Sequence, residues 1–378
     1  LGADNGIAVA TNLAIMEDVT IEHGPLELLF TIDEETGLTG AHNLKGDFIE
    51  SRILLNLDSE EDDAIYIGCA GGRDTSLIWD FKTAPVPTRT AACRVVVSGL
   101  RGGHSGVDIH LNRGNALKAL ARVLREVDPQ RLRLVEIAGG SKRNVIPREA
   151  SAVVVGPLRI ADTLGRAAAE IQAETQQAGE TGCTVRVESM PLTDVPAAVG
   201  PGDTQRLLVT LTALPHGVLA VVPDIPGLVQ TSNSTSTIEN ARADGALRVT
   251  IGCLSRSSAL PELRAVARQL AAIGDLGGAT VDSGNEYPGW QPNVNSPLLA
   301  TCRRIYAGMF GAQPTVAAIH AGLECGLLGE RVGAGTLDMV SFGPHIRGAH
   351  SPDECVYVAS VQKIWEYLKA VLGELARG

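Results

Sequence analysis

The sequence predicts an α/β protein in which a discontinuous domain, formed by the two ends of the chain, is interrupted by an inserted α+β domain. Three observations support this. Helical and strand patterns alternate in the first stretch of the chain, whereas the middle stretch has a different arrangement, with several strand patterns and helical patterns between them. The last third again resembles the first stretch. A chain of 378 residues also exceeds the size at which one hydrophobic core keeps growing, so two domains are expected.

Residues 1–74 are predicted to form the first part of the discontinuous domain. A helical pattern is followed by three apolar strand patterns, at residues 6–18, 26–32, 53–57 and 64–70 respectively. Acidic residues follow two of these strands, with Glu34 after the first and Asp58 after the second. Open α/β sheets place their ligand sites at such strand ends, so these acids are candidates for a functional site.

Residues 75–281 are predicted to form the inserted α+β domain, with sandwiched sheets and helices on one face. Its strand patterns lie at residues 94–97, 132–137, 152–155, 185–188 and 246–251, and its helical patterns at 115–127, 164–177, 205–214 and 260–273. Residues 282–378 return to the first domain, with helices at 297–310 and 359–375 and strands at 316–319 and 339–342.

The composition excludes several classes of partner. A hydrophobic content of 44% indicates an ordered protein, and a net charge of -11 argues against nucleic acid or an anionic membrane as partner. No apolar run reaches the length of about 18 residues that a membrane-spanning helix needs. The 7 cysteines form no CxxC pair, which argues against a zinc knuckle or a disulfide framework and favours the reducing cytoplasm.

Acidic residues are the first candidates for metal chemistry: Asp4, the pair Glu34 and Glu35, and Asp58. Any one of them alone is typical of a helix cap or a solvated turn. Adjacent glutamates after a strand point to opposite sides, so one can bind a metal while the other acts as a general base. Asp4, Glu35, Asp58 and a bridging hydroxide would also balance the charge of two zinc ions.

Histidines supply the remaining candidate ligands. His350, in the segment RGAHSPDE, follows a strand and a glycine-containing turn, and it is a better zinc candidate than His345. Spacing alone does not separate the two.

Two further segments place histidines beside possible substrate positions. His104 lies in the glycine-rich turn RGGHSGVDIH, where it is either a surface residue or a donor that stabilises an oxyanion from a flexible loop. His320 and Glu324, four residues apart in HAGLECG, either mark a helix start or bind a charged end of a substrate. GxSxG, GxGxxG and GxxxxGKS patterns are absent, so nucleotide or serine chemistry is not supported.

Eight segments in order along the whole chain resemble the Xaa-His dipeptidase branch of the M20 metallopeptidase family. They are LGADNG, TIDEETG, LNLDSE, GGHSGVDIH, RNVIPREA, YPGWQP, HAGLECG and GAHSPDE. The resemblance implies a zinc-peptidase-like catalytic domain with a central mixed sheet, interrupted by an inserted α+β lid domain. It also implies hydrolysis of dipeptides, Xaa-His dipeptides first, a homodimer, and two divalent metal ions, zinc first with cobalt or manganese as alternatives.

The resemblance assigns a role to each candidate residue. It implies that Asp4 bridges two metal ions, that Glu34 is the general base, and that the terminal metal ligands are Glu35, Asp58 and His350. It further implies that His104, carried on the lid, stabilises the oxyanion in an active site reached across the dimer. Substrate-facing positions are implied for Asn144, His320 and Glu324.

One element of the family pattern is missing. The family has an upstream His-x-Asp segment that supplies one more zinc ligand, and nothing before Leu1 provides it. On this sequence we therefore expect one complete metal site, one half site and little activity, with His345 or His42 as possible substitutes for the missing ligand. Rival interpretations are a deacylase or carboxypeptidase of the same family and an inactive, truncated fragment.

Overall fold

The computed structural model describes residues 2–34, 38–45, 49–195, 197–223, 225, 227–243, 245–333, 336–349 and 353–377. The chain divides into two compact units: unit 1 is Leu1–Gly71, Ser258–Leu260 and Tyr287–Gly378, and unit 2 is Gly72–Ser257 and Pro261–Glu286. The assignment of residues 1–74 and 282–378 to a catalytic domain, and of residues 75–281 to a lid, stays a prediction.

Unit 1 is an α/β unit. Its helices are α1 (Ala3–Glu17), α2 (Thr39–Asn43), α7 (Pro297–Phe310), α8 (Glu324–Val332) and α9 (Val358–Arg377). Its strands are β1 (Ile53–Asn56), β2 (Ala64–Cys69), β15 (Thr315–Ile319), β16 (Asp338–Ser341), β17 (Ile346–Arg347) and β18 (Cys355–Val356). The helices expected at residues 6–18, 297–310 and 359–375 are thus confirmed to within a few residues.

Four of these strands form the sheet of unit 1, in the order β1-β16-β2-β15. β1 is parallel to β16 and β2 is parallel to β15, whereas β16 and β2 are antiparallel. The sheet is therefore mixed, as the fold class predicted. Because β1 and β16 run in the same direction, their carboxyl ends meet at one edge, and the segment carrying Asp58 leaves the sheet there.

A small aromatic cluster packs helices α7 and α9 of unit 1 against the end of β16. The ring of Tyr367 in α9 lies 4.9 Å from that of Phe342 and 5.5 Å from that of Tyr306, both edge to face. The buried Tyr367 hydroxyl donates to the carbonyl oxygen of Cys302 at 3.0 Å. Edge-to-face contacts of this kind add to the stabilisation that the buried ring area supplies.

Two chain segments leave the sheet edge in direct backbone contact. A Cβ atom placed on Gly343, just after β16, would lie 1.8 Å from the backbone oxygen of Ser59. The hydroxyl groups of Ser59 and Ser341 are hydrogen-bonded to each other at 2.6 Å. Moving the two segments apart would therefore break a buried hydrogen bond. Because residue 343 has no side chain, the segment after β1, which includes Asp58, can lie directly against the end of β16.

Gly343→Ala is therefore expected to lower the free energy of unfolding by at least about 2 kcal/mol, since the new methyl group must displace backbone rather than a flexible side chain. Gly308→Ala is the matched control, because Gly308 lies inside α7 and a methyl group added there would meet nothing within 4 Å. That change should stabilise the protein by about 0.5–1 kcal/mol through helix propensity. Urea unfolding measures both, and equal midpoints for Gly343→Ala and the unaltered protein would contradict the close contact.

Unit 2 is an antiparallel α+β unit. Its strands are β3 (Gly71–Ala84), β4 (Ala91–Ser98), β5 (Gly103–His104), β6 (Arg133–Gly139), β7 (Val145–Ile146), β8 (Ala150–Gly156), β9 (Thr184–Met190), β10 (Ala198–Val199), β11 (Gly217–Val221), β12 (Val229–Ala243), β13 (Ala246–Ser257) and β14 (Thr280–Tyr287). Its α-helices are α3 (Ala116–Arg125), α4 (Ile160–Gln177), α5 (Pro201–Ala213) and α6 (Leu260–Leu276), and short 3-10 helices lie at Ile109–Leu111 and Leu192–Asp194.

The strands of unit 2 form one large sheet rather than the sandwiched sheets expected from the sequence. Ten of them pair in a single sheet, and β5 pairs with β7 separately. Side chains from all four helices join one buried cluster against this sheet, whereas the smaller cluster around Val135 and Val155 contains no residue of these helices. The expectation of helices on one face is thus confirmed. The expectation of a second, stacked sheet is wrong, because these strands all belong to the same large sheet.

The centre of this sheet contains a strand that the sequence pattern did not predict. In β12, residues 231–237 are all buried although each is Ser, Thr or Asn. Their polar groups bond to one another and to neighbours: Ser255 donates to Asn233 at 2.9 Å, and Asn233 donates to the carbonyl oxygen of Pro215 at 2.7 Å. A buried strand without an apolar alternation is stable here because these hydrogen bonds replace those to water.

The strand expected at residues 26–32 is not formed. The segment has no strand pairing, and Leu26, Phe30 and Ile32 are 38%, 45% and 74% exposed. An apolar run forms a strand only if a neighbouring strand pairs with its backbone N–H and C=O groups. In the described part of unit 1, this segment instead makes a side-chain hydrogen bond from Thr31 to Glu324 of α8. None of the helices in the described ranges is long and apolar enough to cross a membrane.

Candidate active site

The carboxyl end of β1 and the start of α1 are joined by hydrogen bonds. The Asn5 side chain donates to Asp58 Oδ1 at 2.8 Å and to the carbonyl oxygen of Leu57 at 2.7 Å. Asn56 Oδ1 accepts from the backbone N–H of Asp58 at 3.1 Å. Asp4 precedes Asn5 directly and has non-helical backbone angles, so the structure brings the segments of Asp4 and Asp58 together.

A third segment reaches the same place from the far end of the chain. Glu354 Oε1 accepts from the backbone N–H of Ala3 at 2.8 Å, across 351 positions of sequence. Glu354 lies in the segment that contains the predicted ligand His350. The first turn of α1 is thus tied on one side to the end of β1 and on the other to the residues after His350.

Glu35 and His350, two of the four predicted metal ligands, lie outside the described residues. Among the residues that are described, no group of three or more His, Cys, Asp or Glu side chains is placed to hold a metal ion. The metal-ligand assignment therefore stays a prediction. The alternative His345 packs its ring 4.8 Å from that of Tyr357, and its backbone N–H donates to Ser360 at 2.6 Å.

The backbone of Glu34 is hydrogen-bonded to Leu38, the residue directly before α2. Its backbone oxygen accepts from the N–H of Leu38 at 2.9 Å, and the preceding Asp33 accepts from both the N–H and the hydroxyl of Thr39 at 3.2 and 2.7 Å. Leu38 packs with Ala41 of α2 and with Leu327 of α8. The backbone around the predicted general base is therefore held by α2, which itself packs on α8.

Glu324, the first residue of α8, is a buried acid with an incomplete set of partners. Its side chain is 9% exposed, and Oε2 accepts from the hydroxyl of Thr31 at 2.7 Å. Oε1 is buried and has no hydrogen-bond partner in the described part of the chain. Burial raises the pKa of Glu324, the Thr31 hydroxyl opposes that shift, and the negative charge of Asp58 adds to it.

His320 lies just after β15 and is buried. The backbone N–H of Ala70 donates to the carbonyl oxygens of both Ile319 and Ala321, which fixes the backbone on either side of His320. α8 begins only at Glu324, so His320 belongs to the loop before the helix and not to its first turn. A helix does start at Glu324, but no side-chain hydrogen bond caps it. The interpretation of HAGLECG as a substrate-binding segment stays a prediction.

His104 and Asn144 are brought together in unit 2. His104 pairs with Val145 across β5 and β7, and the carbonyl oxygen of Asn144 accepts from the N–H of Ser105 at 2.8 Å. His104 Nδ1 accepts from the N–H groups of Val107 and Gly106 at 3.0 and 3.3 Å. An Nδ1 that accepts hydrogen bonds carries no proton, so the neutral ring has its proton on Nε2 and is a hydrogen-bond donor there.

The loop around His104 is held by specific contacts rather than by glycine flexibility alone. Asp108 Oδ2 accepts from the backbone N–H of His104 at 2.8 Å, and Asp108 pairs with Arg113 at 3.2 Å. Arg113 also donates to the carbonyl oxygen of Gly102 at 2.6 Å. Gly102 and Gly103 have φ angles of 65° and 138°, which favour glycine.

Several of these supporting residues were not predicted from the sequence: Asn5, Thr31, Asp108, Arg113 and Glu354. Asp108 could have been found, because it follows His104 by four positions inside the same motif. Thr31 and Glu354 carry no local signal, since their partners lie 293 and 351 positions away in the chain.

Comparison with known proteins identifies the class of this protein. The family profile of Peptidase family M20/M25/M40 matches residues 3–374, and the chain belongs to this family. The resemblance found in its motifs is thereby confirmed.

Two relatives are similar along nearly the whole chain. Cytosol non-specific dipeptidase from Escherichia coli (strain K12) is 38% identical over 382 residues, which cover 99% of this chain and 76% of the relative. The crystal structure of aminoacylhistidine dipeptidase from Vibrio alginolyticus matches with a TM-score of 0.88 and 39% identity, over 99% of this chain and 76% of that one. A tripeptidase from Staphylococcus aureus, at 12% identity and a TM-score of 0.57 over 100% of this chain and 72% of its own, shares the fold.

Proposed function

We propose that this protein is a metal-dependent dipeptidase, with Xaa-His dipeptides among its substrates. The observation that carries the proposal is the hydrogen-bonded junction at the carboxyl end of β1, where Asn5 links the predicted ligands Asp4 and Asp58. The kinship with two dipeptidases over nearly the whole chain supports the same substrate class. A deacylase or carboxypeptidase would use the same junction with a different pocket.

The residues at this junction suit divalent metal ions. Burial raises the pKa of Glu324 and the negative charge of Asp58 adds to that shift, so a bound cation would stabilise the charged forms of both carboxylates. We propose that Asp4, Glu35, Asp58 and His350 would hold two divalent metal ions, with Asp4 serving both. Carboxylates with an imidazole are ligands that zinc accepts readily, and cobalt and manganese are the alternatives.

Proton transfer is assigned to Glu34. Divalent ions supply a water molecule of lowered pKa at neutral pH. Glu34 takes the proton of the attacking water and delivers it to the leaving amine nitrogen. His104 donates its Nε2–H to the oxyanion that forms on the peptide carbonyl.

Substrate binding is assigned to Asn144, His320 and Glu324. A buried carboxylate with one unpartnered oxygen suits a cationic group, and the free amino group of a dipeptide is such a group. We therefore propose that Glu324, held by Thr31, accepts the substrate ammonium. His320 and Asn144 donate hydrogen bonds to the rest of the substrate. We further propose that the enzyme acts as a homodimer and that it works in the cytoplasm.

The proposed function is tested by comparing three substrates with the purified protein in buffer containing zinc, cobalt or manganese. Alanyl-histidine should be hydrolysed slowly, because one of the two expected metal sites lacks a ligand. N-acetyl-histidine and N-acetyl-alanyl-histidine should be poorer substrates still, and chelation should abolish turnover. Metal analysis of the same samples reports ion binding without relying on activity. Faster hydrolysis of N-acetyl-histidine than of the dipeptide would favour a deacylase instead.

Glu324→Gln is expected to lower kcat/KM for alanyl-histidine by about 10- to 100-fold, because a charge-assisted hydrogen bond to the ammonium is replaced by a neutral one. The amide can still accept from Thr31, so the fold should be retained. Glu330→Gln in the same helix is the control, since that side chain is exposed. Steady-state kinetics with both variants decide the point: an unchanged kcat/KM in Glu324→Gln would remove this residue from the substrate site.

A further inference from the structure

Asn5 uses every polar atom of its side chain at the start of α1. Its backbone angles are non-helical, and its Oδ1 accepts from the N–H of Ala8 at 2.8 Å, which caps the regular part of the helix. Its Nδ2 donates to the carbonyl oxygen of Leu57 at 2.7 Å and to Asp58 Oδ1 at 2.8 Å. A flipped amide would set its oxygen against a carbonyl oxygen and its NH2 against an N–H group, so these partners fix the orientation of the side chain.

The backbone of Asp58 is held by a second set of hydrogen bonds, which joins the ends of β1 and β16. Asn56 Oδ1 accepts from the N–H of Asp58 at 3.1 Å and from the hydroxyl of Ser341 at 2.6 Å. Because a hydroxyl has one proton, Ser59 is the donor in its hydrogen bond with Ser341. Both serines are buried, so their hydrogen bond is shielded from competing water. Asn5 therefore acts on the carboxylate of Asp58, whereas Asn56 acts on its backbone.

The hydrogen bond from Asn5 limits how the carboxylate of Asp58 can bind a cation. Oδ1 accepts from a fixed amide donor, and a cation bound to both oxygens would have to compete with that hydrogen bond. Zinc accepts a single carboxylate oxygen at about 2.0–2.2 Å in sites of low coordination number. Calcium takes about 6–8 oxygen ligands at about 2.3–2.6 Å, and carboxylates often bind it through both oxygens. Binding through one oxygen therefore favours the smaller ion.

We propose that Asn5 is a positioning residue that makes Asp58 a one-oxygen ligand and thereby favours zinc over calcium. The proposal rests on the proposed metal-dependent function, in which Asp58 is a ligand. A hydrogen-bonding partner of a metal ligand typically contributes about 10- to 100-fold to metal affinity, because it orients the ligand before the ion binds. Asn5 is neutral, so it orients the carboxylate without cancelling the negative charge that attracts the cation.

Asn5→Ser tests the proposal, because serine keeps a good helix cap but its side chain is too short to reach Asp58. The metal-depleted protein is titrated with zinc alone and with calcium alone, and bound metal is measured after equilibrium dialysis. Of the two zinc-binding events expected, the weaker is the relevant one, because the site of Asp58 has fewer ligands in this chain. Asn5→Ser should lower this zinc affinity by about 10- to 100-fold. Calcium affinity should rise, because Oδ1 becomes available as a second ligand atom.

Asn56→Ala separates the orientation of the carboxylate from the support of its backbone. That change removes the acceptor for the N–H of Asp58 and leaves the hydrogen bond from Asn5 in place, so it should weaken zinc binding without any gain of calcium binding. Asn295→Ala is the matched control, an exposed asparagine of the same unit, and should change neither affinity. Asn5→Ala should give the same metal preference as Asn5→Ser with a lower urea midpoint, since it also loses the cap.

An unchanged zinc affinity in Asn5→Ser, or no gain of calcium affinity, would overturn the inference and leave the proposed function standing. Binding of a single zinc ion by the unaltered protein, without a second event, would do the same. If the unaltered protein bound no zinc and hydrolysed no alanyl-histidine with any of the three metals, the proposed function would fall, and the inference with it.

Discussion

Glu34→Gln is expected to lower kcat for dipeptide hydrolysis by at least about 100-fold, with metal content and folding unchanged. The physical reason is that the amide keeps the shape of the side chain but cannot accept the proton of the attacking water. The backbone of residue 34 is held through its carbonyl oxygen, which accepts from Leu38 whatever the side chain is. The loop geometry should therefore survive the substitution.

The measurement combines steady-state kinetics, metal analysis and thermal unfolding in the full protein. Glu17→Gln is the control, because Glu17 is an exposed residue at the end of α1 and changes the same charge. A kcat within a few-fold of the unaltered protein would exclude Glu34 as the general base. A large fall in bound metal would instead mean that Glu34 contributes to ion binding.

His104→Ala is expected to lower kcat by about 100- to 1000-fold with a smaller change in KM, since an oxyanion donor acts mainly in the transition state. The two backbone N–H groups that are hydrogen-bonded to Nδ1 place the proton of the neutral ring on Nε2, and an oxyanion needs such a donor. His110→Ala is the matched control, an exposed histidine six positions further along the same segment.

Asp108→Asn distinguishes positioning from direct action. The asparagine keeps an acceptor for the N–H of His104 but weakens the ion pair with Arg113, so we expect a loss of about 10-fold, smaller than for His104→Ala. If His104→Ala and His110→Ala had equal, small effects, His104 would be a structural residue of the loop only.

The parts of the fold that were predicted correctly have strong local patterns. Helices α1, α7 and α9 show apolar residues at helical spacing, and β1 is an apolar run that ends in polar residues, so Asp58 was expected at a strand end before the sheet was known. The strand proposed at residues 26–32 has the same kind of pattern but no pairing partner, and pairing is a property of the tertiary fold. Sequence patterns alone could not distinguish these two cases.

The candidate site shows the same division. His104 and Asn144 lie in recognisable motifs, whereas the contact between Asn5 and Asp58 joins residues 53 positions apart, and that between Ser59 and Ser341 joins residues 282 positions apart. No periodicity relates such pairs, because their proximity depends on how strands are ordered in a sheet. The charged residues and their motifs indicated a metal-dependent active site. Only the three-dimensional structure indicated which neutral residues, such as Asn5, support it.

The buried Ser, Thr and Asn residues of β12 limit how this protein can be re-engineered. Replacing Asn233 with a leucine of similar shape would leave the buried hydroxyl of Ser255 without its acceptor, and the carbonyl oxygen of Pro215 would keep only the longer hydrogen bond from Thr235. If Asn233 and Ser255 are both exchanged for apolar residues, neither partner of their hydrogen bond is left buried without the other. Libraries that vary one position at a time should therefore find this strand intolerant, and libraries that vary paired positions should recover folded variants.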